Sequence, residues 1–443
     1  MPQKAKQSDG TTTLVLREED IKNIILKKEE KKEYFSQKFV KIEERVRANL
    51  WKQSTDEALR DITIWALVIG SSDIHFEIYE EDVKVRFRID GVLADIFTLT
   101  HKEYKAVLER LKYSAGLKLN IMDIPQDGKY SVRTDDGRKI DVRVSTLPIK
   151  YGENVVCRLL DSEKSIIDFK DLWFFWTSKR MIERALLKKN GMILVTWPTG
   201  SGKTTTLYTM LAELNTRDKK IITLEDPIEY EMPWVIQSEV NEKKGFTFES
   251  GLKSLLRQDP NIIMVWEIRD FETLMTATNA SLTWHLVLST LHTKSAAETL
   301  DRLLSMGLKP YLLASALDTI IAQRLVRRIC PDCKVEKEKI PQEISIIQSM
   351  MNETGMKNIS IENIKLYKWV WCEGCNQSGY RWRIWIYEII SLNEKIRDLI
   401  RAEQSVEKII LEAKTGDLIS MKEDGILKAL QGLTTIEEII RVL

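Results

Sequence analysis

The spacing of hydrophobic positions changes character along the chain. Residues 17–50 are dense in Lys and Glu with scattered Ile, Phe and Val, which predicts a solvated helix or mobile arm without chemistry of its own. From about 55 to 160 the pattern is mixed α/β. Val83, Val85, Phe87 and Ile89 alternate with Lys84, Arg86, Arg88 and Asp90, the period of a half-buried strand, and Asp90–Gly91 turns it into the next one. Ile140, Val142 and Val144 repeat the alternation, with Arg143 on the opposite face. On this pattern alone the arginines are the solvated face of a sheet. From 181 to 325 short apolar runs alternate with helical stretches, the mark of a mostly parallel sheet. Residues 191–196 read as a buried strand, 203–215 as a helix, and the runs at Ile221–Ile222 and Ile262–Val265 as further strands.

Between the first of these strands and its helix lies "TWPTGSGKTTTLY", close to the phosphate-binding pattern G-x-x-x-x-G-K-[ST]. Strand, loop and helix put phosphate at a helix N-terminus, where unpaired N–H groups and the dipole favour anions. Pro198, Thr199, Gly200, Ser201 and Gly202 form the cradle, followed by Thr204 and Thr205. Lys203 would reach the β/γ-phosphates and Thr204 would hold Mg²⁺. The position of the first glycine, however, holds Trp197. Two later strands end in acid: Glu225, Asp226 and Glu229 after one, Glu267 after the other. Ligands of open parallel sheets bind beyond the carboxyl ends of the strands, so these acids are expected to meet the nucleotide. Glu267 is the candidate to activate the attacking water. Two CxxC pairs, Cys330/Cys333 and Cys372/Cys375, offer four thiolates for a closed zinc site; reduced thiols in a vestigial subdomain are the alternative.

Composition adds two constraints. The 67 basic and 66 acidic residues nearly cancel, which argues against nucleic acid as a direct partner. The polar start lacks the apolar core of a signal peptide, and no apolar run approaches a membrane span of roughly 18 residues. With five cysteines, these features place the chain in a reducing, cytosolic compartment. Glycine is scarce, 19 in 443, against an average of about 7%, while tryptophan numbers 12.

The motifs resemble those of the type II secretion and type IV pilus assembly ATPases over residues 55–443. "SSDIHFE" and "VRFRIDGVL" resemble the family's second N-terminal domain, "GSGKTTTLYTML" its Walker A motif and "ITLEDPIEY" its Asp box. "RQDPNIIMVWEIRDFET" resembles its Walker B motif and "SLTWHLVLSTLHT" its His box; "CEGCNQSGYRWRIWIYEII" and "GLTTIEEIIRVL" resemble its C-terminal region. The resemblance implies an α/β fold: a RecA-like P-loop NTPase core, a PAS-like α+β domain before it, and a small zinc-binding subdomain. The implied division is a charged arm (1–54), the PAS-like domain (55–160), a linker (161–180), the ATPase domain (181–325), the metal subdomain (326–390) and C-terminal helices (391–443). It implies ATP, Mg²⁺ and Zn²⁺ as ligands and a homo-hexamer with nucleotide between subunits. Arg86 and Arg88 match the family's phosphate-reaching arginines, with Arg143 and Arg158 on nearby strands, unranked. From the His box, His285 and His292 are expected near the γ-phosphate, or as structural histidines at the sheet edge, and Glu229 is a further catalytic candidate.

The implied task is to move a polytopic inner-membrane platform protein from the cytoplasmic face, for pilus assembly, secretion or DNA uptake alike. The cysteines favour extension or secretion over retraction. Where the family has glycine, this chain has Trp197, Trp266, Trp284, Trp382 and Trp385, and Trp234, Trp369 and Trp371 stand where glycine also reads naturally. One residue type replacing one other suggests a codon effect: UGA is one base from the glycine codon GGA, and some bacterial lineages read it as glycine. The competing readings are an inactive ring subunit blocked at Trp197 and a nucleic-acid translocase on the same core.

Overall fold

Two sheets organise the chain. The computed structural model describes residues 43–52, 54–133, 139–161, 167–196, 202–354, 364–370, 372–375, 378–416 and 418–443, so most of the charged arm lies outside the described residues. The first sheet contains β1 (Ser71–Ile78), β2 (Val83–Ile89), β3 (Val92–Leu99), β4 (Gln126–Arg133), β5 (Lys139–Ile149) and β6 (Gly152–Asp161). It is antiparallel, in the order β3-β2-β1-β6-β5-β4. Helices α1 (Thr55–Ile69) and α2 (His101–Ser114) accompany it. The alternation read from the letters becomes burial: Val83, Val85 and Phe87 are inaccessible and join Phe76, Ile62 and Leu111 in one core. Asp90 and Gly91, both at positive φ, make the two-residue turn between β2 and β3. Thr100 and Glu103 close a capping box at the start of α2. Lower on that helix, buried Lys112 meets buried Glu153 of β6 at 2.8 Å.

The second sheet has seven strands: β7 (Gly191–Thr196), β8 (Ile221–Glu225), β9 (Ile236–Glu239), β10 (Ile262–Val265), β11 (Leu286–Leu291), β12 (Leu317–Ile329) and β15 (Tyr380–Ser391). The order is β15-β12-β7-β11-β10-β8-β9, parallel except for the β12–β15 pair. β7, β8, β10 and β11 are buried along their whole length, as strands covered on both faces must be. The helices between and beside them are α3 (Trp176–Leu186), α4 (Lys203–Leu214), α5 (Phe248–Leu256), α6 (Phe271–Leu282), α7 (Ala296–Ser305) and α8 (Pro310–Ala316).

Strands β13 (Lys334–Lys337) and β14 (Leu366–Trp369) form a separate antiparallel pair, with α9 (Pro341–Thr354) between them in sequence. The stretch 326–390 therefore contributes both this pair and strand β15 to two different sheets. Helices α10 (Glu394–Arg401), α11 (Val406–Thr415), α12 (Met421–Leu430) and α13 (Ile436–Val442) complete the chain. α12 is fastened to β15 by a buried pair. Lys428 Nζ lies 2.7 Å from both Asp424 and the Trp385 carbonyl, and Asp424 accepts the Tyr387 N–H at 3.0 Å. Among the described residues, no helix is long and apolar enough to cross a membrane.

Candidate nucleotide and metal sites

The parallel strands bring their carboxyl ends to one edge, and α4 begins there directly after the loop that follows β7. Pro198, Thr199, Gly200 and Ser201, with Trp197, lie outside the described residues. Gly202 is left-handed (φ 79°, ψ 24°) and gives α4 no side-chain cap, which leaves the N–H groups of its first turn open to an anion. Lys203 opens the helix, followed by Thr204 and Thr205. Burial pulls the Lys203 ammonium down to about 8, and it forms no ion pair with a described residue. A half-buried cation without a carboxylate beside an open helix end is the chemistry that a phosphate completes. One member of this site had no signal in the sequence. Gln323, on β12, accepts a hydrogen bond from Thr206 Oγ1 at 2.8 Å and backs the first turn of α4. Trp385 is also here rather than beside the cysteines: a Cβ built on Gly202 would lie 2.6 Å from its indole nitrogen. Register explains this, because β15 runs antiparallel to β12 and carries Trp385 opposite Leu325, five residues beyond Tyr380 at the cysteine end of the strand.

Adjacent strands β8 and β10 align Leu224 with Val265, so the residues that follow each strand emerge side by side. Glu267 is almost fully buried, accepts from His292 Nε2 at 3.0 Å and is paired with Arg269, which also faces Asp226 at 3.6 Å. The strand end is held by Ser289 Oγ to the Val265 carbonyl at 2.8 Å and Thr290 Oγ1 to the Trp266 carbonyl at 2.6 Å. Burial, then Lys203 and Arg269, lower the His292 imidazole below its usual value, so it is neutral near pH 7. His285 does not join this group. It precedes β11 and His292 follows it, a separation of roughly 20 Å along an extended strand, and its Nδ1 lies 3.0 Å from the Ala280 carbonyl instead. Glu225 is also set apart. It is inaccessible, its oxygens are taken by Thr223 (2.5 Å), Gln237 (3.0 Å) and Tyr208, and burial raises its carboxyl above the usual range.

The arginines of the first sheet fall into register. Arg143 is opposite Arg158, Arg158 opposite Asp73, and Asp73 opposite Arg88, so three cations and one acid make a row across β5, β6, β1 and β2. Asp73 faces Arg158 at 2.9 Å and Arg88 at 3.4 Å. Its burial opposes ionisation, but Arg158, Ser72 and Arg88 outweigh burial and hold the carboxyl below its usual value. Arg86 is in the next row, paired with Asp95 at 2.7 Å and Glu77 at 3.2 Å. Arg143 crosses to the other sheet's loops and meets Glu229 at 2.8 Å.

The four cysteines meet although 38 residues separate the pairs: Cys330 follows β12, Cys333 precedes β13, and Cys372 and Cys375 follow β14. Pairing of β13 with β14 brings the two knuckles together, and all four sulfurs lie within 4.8 Å of one another. Separations of 3.7, 3.8 and 3.4 Å for Cys330–Cys372, Cys333–Cys375 and Cys372–Cys375 approach the roughly 3.8 Å edge of a tetrahedron with Zn–S of about 2.3 Å. Cys157 is a buried residue of β6, away from this cluster.

Comparison with known proteins gives one answer. The family described as "Type II/IV secretion system protein" matches residues 52–441. Type II secretion system protein E of Aeromonas hydrophila is 43% identical over 375 residues, 84% of this chain and 72% of that protein. The type IV pilus assembly ATPase PilB of Myxococcus xanthus is 41% identical over 370 residues, 84% of this chain and 64% of that protein. Among solved structures, the pilus retraction motor PilT with bound ADP superposes with a TM-score of 0.57 at 27% identity, covering 86% of this chain and 96% of that one. The seven-stranded sheet is thus the RecA-like core, and the chain an ATPase that belongs to the type II/IV secretion system protein family.

Proposed function

We propose that the protein is a hexameric motor that spends ATP hydrolysis on type II secretion or type IV pilus assembly, working on a polytopic platform protein at the cytoplasmic face of the inner membrane. One observation carries the catalytic part: Lys203 and the uncapped start of α4 share a strand-end edge with the buried Glu267–His292 pair. Gly202, Lys203, Thr204 and Thr205, with Pro198, Thr199, Gly200 and Ser201 before them, hold the triphosphate. Thr204 would hold Mg²⁺, which would neutralise charge on the phosphate oxygens. Glu267 orients water and accepts its proton as the oxygen attacks the γ-phosphorus and the bond to ADP breaks. Neutral His292 keeps the Glu267 carboxylate in position.

Arg143, Arg158 and Arg88 form the cationic row that meets transferred phosphate when the first domain closes, and Arg86 braces it from the next row. Arg143 already engages Glu229, which supports this face as the one turned toward the nucleotide. The cysteines hold one Zn²⁺ as a structural ion. No nucleic acid is required, consistent with a net charge of +1.

The test is Glu267→Gln against Lys203→Ala, both in a chain carrying glycine at positions 197, 234, 266, 284, 369, 371, 382 and 385. Glu267→Gln keeps ATP binding while turnover falls by about two orders of magnitude or more. Lys203→Ala weakens binding itself. Near-normal turnover by Glu267→Gln removes it from the catalytic role. Native mass spectrometry with ATP checks the six-membered ring.

A further inference from the structure

Seven non-glycine residues among those described take a positive φ, and four of them are tryptophan: Trp173, Trp234, Trp284 and Trp382. The others are Asp90, Asp259 and Glu403. Aspartate is tolerated there because its short side chain hydrogen-bonds locally, whereas a bulky indole has no such compensation and is an outlier. Packing does not hold three of these side chains, since Trp234 is 89%, Trp284 78% and Trp382 54% exposed, whereas Trp173 is partly buried against the core of the seven-stranded sheet. Trp284 and Trp382 are glycine positions by resemblance to the family, and Trp234 stands where glycine also reads naturally. Trp173 is marked by no motif. Its backbone (φ 58°, ψ 35°) is left-handed directly after the short 3₁₀ turn Phe169–Leu172, the place where glycine habitually ends a helical turn. Trp65, in the interior of α1, makes no such demand on its backbone.

We infer that residue 173 is glycine in the protein as its own cell makes it, decoded from the same reassigned codon as 234, 284 and 382. The backbone, not the family pattern, assigns it, and the assignment stands apart from the motor function. Tyr387 Oη donates to the Leu172 carbonyl at 2.9 Å and Phe174 packs on the same ring at 4.3 Å, so β15 fixes the turn on both sides of residue 173.

Two measurements test this. Protein purified from its native cells is digested and sequenced by tandem mass spectrometry, where glycine and tryptophan at 173 differ by the mass of an indolylmethyl group. Glycine is expected, and tryptophan at 173 overturns the inference. Separately, Trp173→Gly and Trp173→Ala are compared in the recombinant chain with glycine at 197, 234, 266, 284, 369, 371, 382 and 385. Both remove the indole and its contact with Arg328, 4.8 Å from the ring. Only glycine takes the left-handed backbone without strain, so Trp173→Gly melts about 2–4 °C above Trp173→Ala. Equal or reversed melting temperatures overturn it.

Discussion

Lys203 shows how much of a single residue's behaviour comes from its surroundings. Its ammonium, pulled down to about 8 by burial, is only partly charged in mildly alkaline solution until phosphate arrives. Bound phosphate favours the charged form and raises the value again. ATP binding at pH 8–9 therefore takes up a proton, and affinity falls as pH rises through 8. Calorimetry in buffers of different ionisation enthalpy checks the uptake; a buffer-independent heat would contradict it. Trp385 gives a second prediction at this scale. Its indole fills the space beside Gly202 where a Cβ would stand, so Trp385→Gly should strengthen nucleotide binding in the tryptophan-bearing chain, measured with a fluorescent ATP analogue. Lys203 and Glu267 were legible in the letters because each stands a fixed few residues from a buried strand. Gln323 was not, since its partner Thr206 is 117 positions away and no local pattern links them. The strain at Trp173 was invisible for another reason: φ is set by the turn, and the letters alone do not report it.

At the scale of elements, period carried the reading where one side of an element faces water. Val83–Val85–Phe87 and Ile140–Val142–Val144 alternate, and the strands follow. β15 was harder to place. It is flanked by the cysteines, and its apolar residues, such as Ile384 and Ile386, gain meaning only once β12 has been extended to Ile329 and α12 laid against it. The Asp424–Lys428 pair is what holds α12 there. Both residues are buried, so Asp424→Ala leaves an ammonium without its partner and costs about 3–5 kcal/mol, read from the urea midpoint. The metal knuckle behaves differently. Replacing Cys330 and Cys372 with serine should remove about one zinc per chain and free the β13–β14 pair to exchange its amide protons. The seven-stranded sheet should keep its protection, because its own hydrogen bonds do not pass through the sulfurs. Hydrogen exchange with mass spectrometry separates the two regions.

Over the whole molecule, Arg143 of the first sheet pairs with Glu229 in the loop after β8 of the second. Both side chains are partly exposed, so the pair adds no more than about 1 kcal/mol. Its effect is on geometry. Arg143→Glu should open the interface and enlarge the radius of gyration by small-angle scattering, and adding Glu229→Arg should restore the compact form without restoring turnover. Strand β15 ties the same molecule together along another line. It leaves the cysteine knuckle near Tyr380 and reaches Gly202, at the start of α4, through Trp385, roughly 17 Å along the strand, paired to β12 at both places. The register shifts between Arg327 and Ile329, beside Trp382 with its positive φ, so the tie carries a bulge midway. Movement at the start of α4 would reach the cysteines through that bulge rather than along an unbroken ladder.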